Sequence, residues 1–292
     1  MTTWLTPVEI PVRPWFADHC FNGRVVLPAV ETMLLLAGEV ARNFPELDIR
    51  VMDGARFGRF LELPPPGSVV LALVEWQKLE DGSLGVKLLS RVQLKHMTRL
   101  QEHGEIHFSP ARRQKPDSLV ITDHADSAET RISARRIYGE LVPFGPGYHT
   151  LQEDLVLGAT SAQGIVQAPA FGGNEAIADK AGSPFPLDGA FHAACVLGQR
   201  TVNFVPFPVG FARRIILQPT RPGGRYDTRV ELIARTQEEL VFDLSITDER
   251  HEVCESVTGL RMRDVSGGAI RPPEWIKAPV ENLGGIGDRP IL

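Results

Sequence analysis

The chain has only three cysteines in 292 residues, Cys20, Cys195 and Cys254. They lie too far apart for a C-x-x-C pair, so neither a disulfide framework nor a cysteine-rich zinc site is supported, and the thiols are expected to be reduced. No metal site is expected. The opening stretch MTTWLTPVEIPVRP lacks a basic n-region and an apolar h-region, and no apolar run approaches the ~18 residues of a membrane span. A cytoplasmic location with no membrane partner follows as the expectation. The formal net charge of -5 arises from mixed signs without a basic block, which argues against nucleic acid or an anionic membrane as partner. What is present is globular: 43% hydrophobic and 23% charged residues, enough for two units at ~100 to 200 residues each. A small soluble substrate or a carrier fits this balance.

Two apolar helices punctuate the chain. Pro28 opens a run in which Val30, Met33, Leu34, Ala37, Val40 and Ala41 recur at helical spacing, and Leu35 and Leu36 widen the stripe. This helix is expected to be wrapped on most sides. Strands are expected over residues 51–63, 69–77, 85–94 and 98–109, separated by turns such as PPPG and EDGS. From Pro186, PLDGAFHAACVLGQRTVN repeats the helix, with Leu187, Phe191, Ala194 and Cys195 on one face, and strands follow near 207–218, 226–235, 240–247 and 253–263. GARFGRFLELPPPG, from Gly54, and GFARRIILQPTRPGG, from Gly210, are each a strand running into a proline-rich turn. Internal duplication is the simplest explanation. The expected fold is α+β, a double hotdog: two tandem antiparallel sheets, each wrapped around a long central helix. The units read as 1–112 and 131–265, joined by a polar linker, 113–130, and followed by a Gly/Pro-rich tail, 266–292, that packs loosely or leads to a neighbouring domain.

His19, Gly23 and Pro28 stand in the spacing H-x3-G-x4-P. Glycine permits positive φ or close approach to a ligand, and proline starts the helix, so His19 would sit where free amides and the helix dipole favour developing negative charge. That suits proton abstraction beside a carbonyl; a loop histidine capping the helix fits the spacing equally. Asp188 and His192 are i and i+4 on the second helix, beside Leu187 and Phe191. A carboxyl there should have a raised pKa and stay protonated as a general acid; alone, it reads as an aspartate favouring the dipole. One such feature at each duplicated helix suggests one base and one acid.

DHCFNGRVVLP resembles the H-x3-G-x4-P signature of the dehydratase domains of polyketide and related fatty acid synthases, and PLDGAFHAA resembles their D-x3-Q/H motif. FGPGYHTL, with Gly145, Pro146 and Tyr148, is similar to the segment G-Y-G-P-x-F, with Phe144 in place of the preceding tyrosine, and VPFPVGFARRIIL is similar to the strand after the acid-bearing helix. The resemblance spans about residues 10 to 265. It implies a double hotdog acting on 3-hydroxyacyl thioesters held on a carrier protein's phosphopantetheine, with no other cofactor. Neutral His19 would remove the proton alpha to the thioester, protonated Asp188 would protonate the departing hydroxyl, and neutral His192 would orient Asp188. Backbone amides near Gly23 would polarise the carbonyl, and Tyr148 or an amide would stand in for the tyrosine missing at Phe144. Phe16, Phe21, Leu27, Phe144, Gly145, Pro146, Leu187 and Phe191 are the expected tunnel residues; Trp15, Phe16 and Phe21 fit plain packing as well. Acyl carrier protein is the implied partner, with other synthase domains and a homodimer compatible.

Other signals are weaker. HGEIH, 103–107, lacks the H-E-x-x-H glutamate and reads as a solvated strand face bearing His103, Glu105 and His107. PDSLV around Ser118 sits in the linker without a helical bundle, LGGIGD near Gly287 has no strand before it, and the basic run ARRQK, 111–115, reads as solvated linker or a contact for an acidic carrier. The alternatives on this scaffold are an enoyl isomerase, a product-template cyclase or a thioesterase, and outside catalysis an acyl-carrier-binding domain.

Overall fold

The computed structural model describes residues 2–93, 95, 97–110 and 130–277. The ARRQK, PDSLV and LGGIGD segments, nearly all of the linker and the last part of the tail lie outside the described residues. The first half contains β1 (Thr2–Pro11), a short hairpin of β2 (Cys20–Phe21) and β3 (Arg24–Val25), helix α1 (Ala29–Asn43), then β4 (Val51–Arg56), β5 (Val69–Lys78), β6 (Leu84–Gln93) and β7 (Thr98–Phe108). The second half contains β8 (Thr130–Ser133), β9 (Leu151–Leu157), β10 (Ser161–Gln167), helix α2 (Phe185–Gln199), β11 (Phe207–Ile216), β12 (Arg225–Arg235), β13 (Glu239–Thr247) and β14 (Val253–Arg263). The fold is the α+β double hotdog that the sequence suggests, except that its two sheets are continuous. Twelve strands run β1-β5-β6-β7-β4-β11-β14-β13-β12-β10-β9-β8, antiparallel throughout. The two rhyming segments meet at the seam, where Phe211 pairs with Ala55 and Arg214 with Met52.

α1 carries a stripe, with Val30, Met33, Leu36, Ala37 and Val40 buried, whereas every residue of α2 is buried. The second helix is therefore the one fully enclosed, as a helix apolar on all sides must be; Leu35 of α1 stays half-buried. The expected strand over 51–63 ends at Arg56. Its far end leaves the large sheet and pairs with the His19 hairpin: Leu27 donates its N–H to Leu61 O (2.9 Å) and Leu63 donates to Val25 O (2.9 Å). Residues 57–61 thus form a loop between two anchored ends. The start of the tail is docked, with Ile276 buried, Trp275 Nε1 donating to Glu140 (2.7 Å) and the Arg136 guanidinium 3.5 Å from the Trp275 ring centre. No helix among the described residues is long and apolar enough to cross a membrane.

Candidate active site

His19 sits between a 3-10 turn, Pro14–Asp18, and the β2–β3 hairpin. The hairpin turns at Asn22 and Gly23, both with positive φ (50° and 76°), as a two-residue Asn-Gly turn requires. Gly23 is exposed, does not line the cavity described below, and has open space where a Cβ would point. The expectation that amides near Gly23 face a substrate carbonyl is thus corrected: this glycine sets the turn. The strand pairing brings Val26 back against His19, whose carbonyl accepts from Val26 N–H (3.1 Å) while its Nδ1 lies 3.1 Å from Val26 O. A carbonyl only accepts, so Nδ1 carries the proton and Nε2 keeps its lone pair. Burial pushes the His19 pKa down to about 4, against the raising effect of that bond.

Pro28 is the N-cap of α1. Asp188, one turn into α2, is buried, and desolvation, with the nearby Glu31 carboxyl, raises its pKa to about 8. His192 follows on the same face. Its Nε2 lies 3.1 Å from Asp188 Oδ2, bent too far from linear for a hydrogen bond, and neither atom has another partner among the described residues. Burial, with His19 and His149 nearby, lowers the His192 pKa to about 3, so it is neutral at pH 7.

His19, Asp188 and His192 line one cavity of about 320 Å³, together with Leu27, Phe144 and Phe191 of the expected tunnel set. Phe144 stacks on His19 (centroids 4.3 Å, 18°) and lies 5.4 Å from the His192 ring. The other expected tunnel residues lie elsewhere. Phe21 backs the rim against Phe60 and Phe207, and Leu187 is core. Phe16, with Trp15, lines a second cavity of about 880 Å³ between β1 and α1 that contains neither His19 nor Asp188. Gly145 and Pro146 stand outside the wall, in the turn that holds Phe144. Tyr148 is also behind the wall, edge-on to His19 (5.2 Å), with its hydroxyl buried and unpartnered among the described residues. It does not replace a cavity-facing tyrosine.

Two groups carried no local signal. Asp18 clamps the halves together: Gly145 N–H donates to its backbone carbonyl (2.7 Å) and Gly147 N–H to its Oδ2 (2.7 Å). A Cβ at Gly145 would come within 2.4 Å of the Asp18 carboxylate, so this approach needs glycine. Tyr138 Oη accepts Leu151 N–H (2.8 Å) and lies 3.3 Å from His192 Nδ1. Donation of the phenolic proton to Nδ1 would leave the imidazole proton on Nε2, on the Asp188 side. His103 lines the cavity and is buried, as is Glu105, which pairs with Arg56 and Lys87. The solvated reading of HGEIH is therefore overturned for His103 and Glu105, whereas His107 stays half-buried.

The family model for the polyketide synthase dehydratase N-terminal domain matches residues 117–271. No curated protein matches the chain by sequence. Among solved structures, a trans-AT polyketide synthase dehydratase domain from Brevibacillus brevis superposes with a TM-score of 0.69 at 16% identity, covering 90% of this chain and 94% of that one. The dehydratase domain of the CurJ module of the curacin synthase gives 0.69 at 18% (89% and 91% covered), and that of PpsC from Mycobacterium tuberculosis, solved with C12:1-CoA, gives 0.68 at 20% (89% and 93%). At these identities the superpositions establish the shared double-hotdog fold. The family match spans more than half of the chain and takes in Asp188 and His192, and on that ground the chain belongs to the polyketide synthase dehydratase family.

Proposed function

We propose that the chain dehydrates a 3-hydroxyacyl thioester carried on the phosphopantetheine of an acyl carrier protein, with His19 as base and Asp188 as acid. One observation carries this reading: the two groups come from different halves yet face one apolar cavity, His19 with its Nδ1 against Val26 O and Asp188 buried where desolvation favours its protonated form. Nε2 takes the proton alpha to the thioester carbonyl, those electrons form the alpha–beta double bond as the beta C–O bond breaks, and the hydroxyl leaves as water with the Asp188 proton. The enoyl thioester and water account for every atom, and proton transfer from His19 to Asp188 through water resets the pair. A slight turn of the His192 ring would let Nε2–H, 3.1 Å from Asp188 Oδ2, donate to that oxygen and leave the acidic proton on the other. The first-turn amides of α1 have no side-chain cap at Pro28 and stand beside Ala29 of the cavity wall; they supply the positive end that favours charge on the carbonyl. No cofactor beyond the substrate's own arm enters the scheme. Other synthase domains, a homodimer and a cytoplasmic setting fit this role.

The test is incubation with 3-hydroxyacyl and 2-enoyl carrier thioesters. Interconversion of the two is expected, with His19→Ala and Asp188→Asn each lowering the rate about 10²- to 10⁴-fold in variants whose circular dichroism matches the wild type. The wild-type rate should fall as pH drops through about 4, where His19 becomes protonated, and as pH rises through about 8, where Asp188 loses its proton. Double-bond migration, acid release or cyclisation without water loss would give the site to an isomerase, thioesterase or cyclase; wild-type inactivity on every thioester would leave a carrier-binding domain.

A further inference from the structure

Among the residues lining the catalytic cavity, the exposed ones are Gly58, Arg59, Phe60, Pro143 and Val265, so the cavity opens on this side. Arg59 is the one lysine or arginine in that lining. Nearby arginines are neutralised: Arg24 by Glu62, Arg56 by Glu105 and Arg263 by Glu239. The Arg59 guanidinium has no carboxylate partner among the described residues.

Its backbone, in contrast, is tightly held. The β6–β7 register slips between Leu88 and Leu89, which pair with Gly104 and Glu102, so His103 is the extra residue of a bulge. Its ring turns toward the rim loop, where Nδ1–H donates to Arg59 O (3.0 Å) while Nε2 accepts the Ser90 hydroxyl (2.7 Å). Burying an imidazole is tolerated when both nitrogens are bonded. Here one of the two bonds fixes the main chain of an exposed, unneutralised arginine. A guanidinium is a rigid fork of donors, weakly hydrated and matched to phosphate oxygens.

We propose that Arg59 binds the phosphate ester at the far end of a pantetheine thioester arm, with His103 and Ser90 as positioning residues that set the height of the rim loop. The inference rests on the thioester reading above. The phosphate has two sources, the phosphodiester of a carrier's phosphopantetheine and coenzyme A.

The test compares one 3-hydroxyacyl group on pantetheine, phosphopantetheine, coenzyme A and carrier protein. For Arg59→Ala, the ratio of KM on phosphopantetheine to KM on pantetheine is expected to rise about tenfold over wild type, the effect of losing one charge-assisted contact. For His103→Phe the same ratio should rise by less. Added salt should raise the wild-type ratio more than the Arg59→Ala ratio. A rise on the carrier thioester assigns the site to the carrier's phosphodiester, and a rise confined to coenzyme A assigns it to the free coenzyme; both support a phosphate anchor. An unchanged ratio in Arg59→Ala overturns the inference while leaving the dehydratase reading intact. If the wild type turns over none of the four, the dehydratase reading falls, and calorimetric binding of phosphopantetheine against pantetheine to both proteins decides the anchor by the same ratio.

Discussion

At Tyr138 one hydroxyl accepts from the Leu151 amide and faces His192 Nδ1. Tyr138→Phe removes both contacts without removing the ring that stacks on His149. A neutral His192 is then free to adopt the Nδ1–H tautomer, with a bare Nε2 toward Asp188 that accepts the very proton the acid must deliver. The expected result is a kcat about 10- to 100-fold lower with KM nearly constant, together with ¹⁵N shifts showing His192 protonated at Nδ1. The orphaned Leu151 amide should cost about 1–3 kcal/mol of stability, read from urea denaturation. Wild-type kcat with the Nε2–H tautomer retained would remove Tyr138 from the mechanism. His19, Asp188 and His192 are legible in the sequence because their signals are local, a histidine–glycine–proline spacing and an i, i+4 pair. Tyr138 and Asp18 act on partners 54 and 129 residues away, and no short pattern records such a contact.

At the level of elements, the two helices and the strands of strong alternation are readable, and the departures have physical causes. β1 carries Pro7 and Pro11 and among the described residues pairs with β5 alone; proline suits an edge strand, but it erases the sequence mark of a strand. HGEIH misleads because alternation assumes an unbroken pleat, and the bulge at His103 changes the parity. α2 shows what full enclosure demands of its residues. A Cβ at Gly189 would lie 2.6 Å from Thr150 Oγ1 and 2.7 Å from Val166 Cγ1, and one at Gly198 would lie 2.7 Å from Leu240 Cδ1. Alanine normally gains up to about 1 kcal/mol over glycine inside a helix, whereas overpacking a tight core costs about 1–3 kcal/mol. The second effect wins at an enclosed site, so Gly189→Ala is expected to lower the melting temperature. Because residue 189 adjoins Asp188, activity should fall more than stability alone accounts for. A melting temperature at or above wild type would mean that Thr150 and Val166 yield easily.

Over the whole molecule, the duplicated halves act as one body, with β4 hydrogen-bonded to β11 and Asp18 gripping the 145–147 turn. The site groups therefore bear on global stability through protons. Asp188 and Glu31 are raised to about 8 and about 7 by burial, while His19 and His192 are lowered to about 4 and about 3. In the unfolded chain the carboxyls titrate near ~4 and the imidazoles near ~6.5. Between roughly pH 5 and 6 the folded state holds two carboxyl protons that the unfolded chain has lost, and the unfolded chain holds two imidazole protons that the folded state refuses. Their effects on the pH slope then oppose and largely cancel. Above about pH 6.5 the unfolded imidazoles give up most of their protons, and the carboxyl difference outweighs what they retain. The folded state then binds more protons, so stability from these four groups must fall as pH rises toward 8. Glu31 lines the second cavity and bonds Trp15 Nε1 (3.3 Å), so Glu31→Gln removes one of the two carboxyls while leaving His19 and Asp188 in place. The melting temperature of the wild type should decline between pH 6.5 and 8.5, and that of Glu31→Gln should decline less steeply. A wild-type curve flat or rising over that interval would show that these carboxyls are ionised in the folded state, and with them the protonated acid on which the proposed dehydration depends.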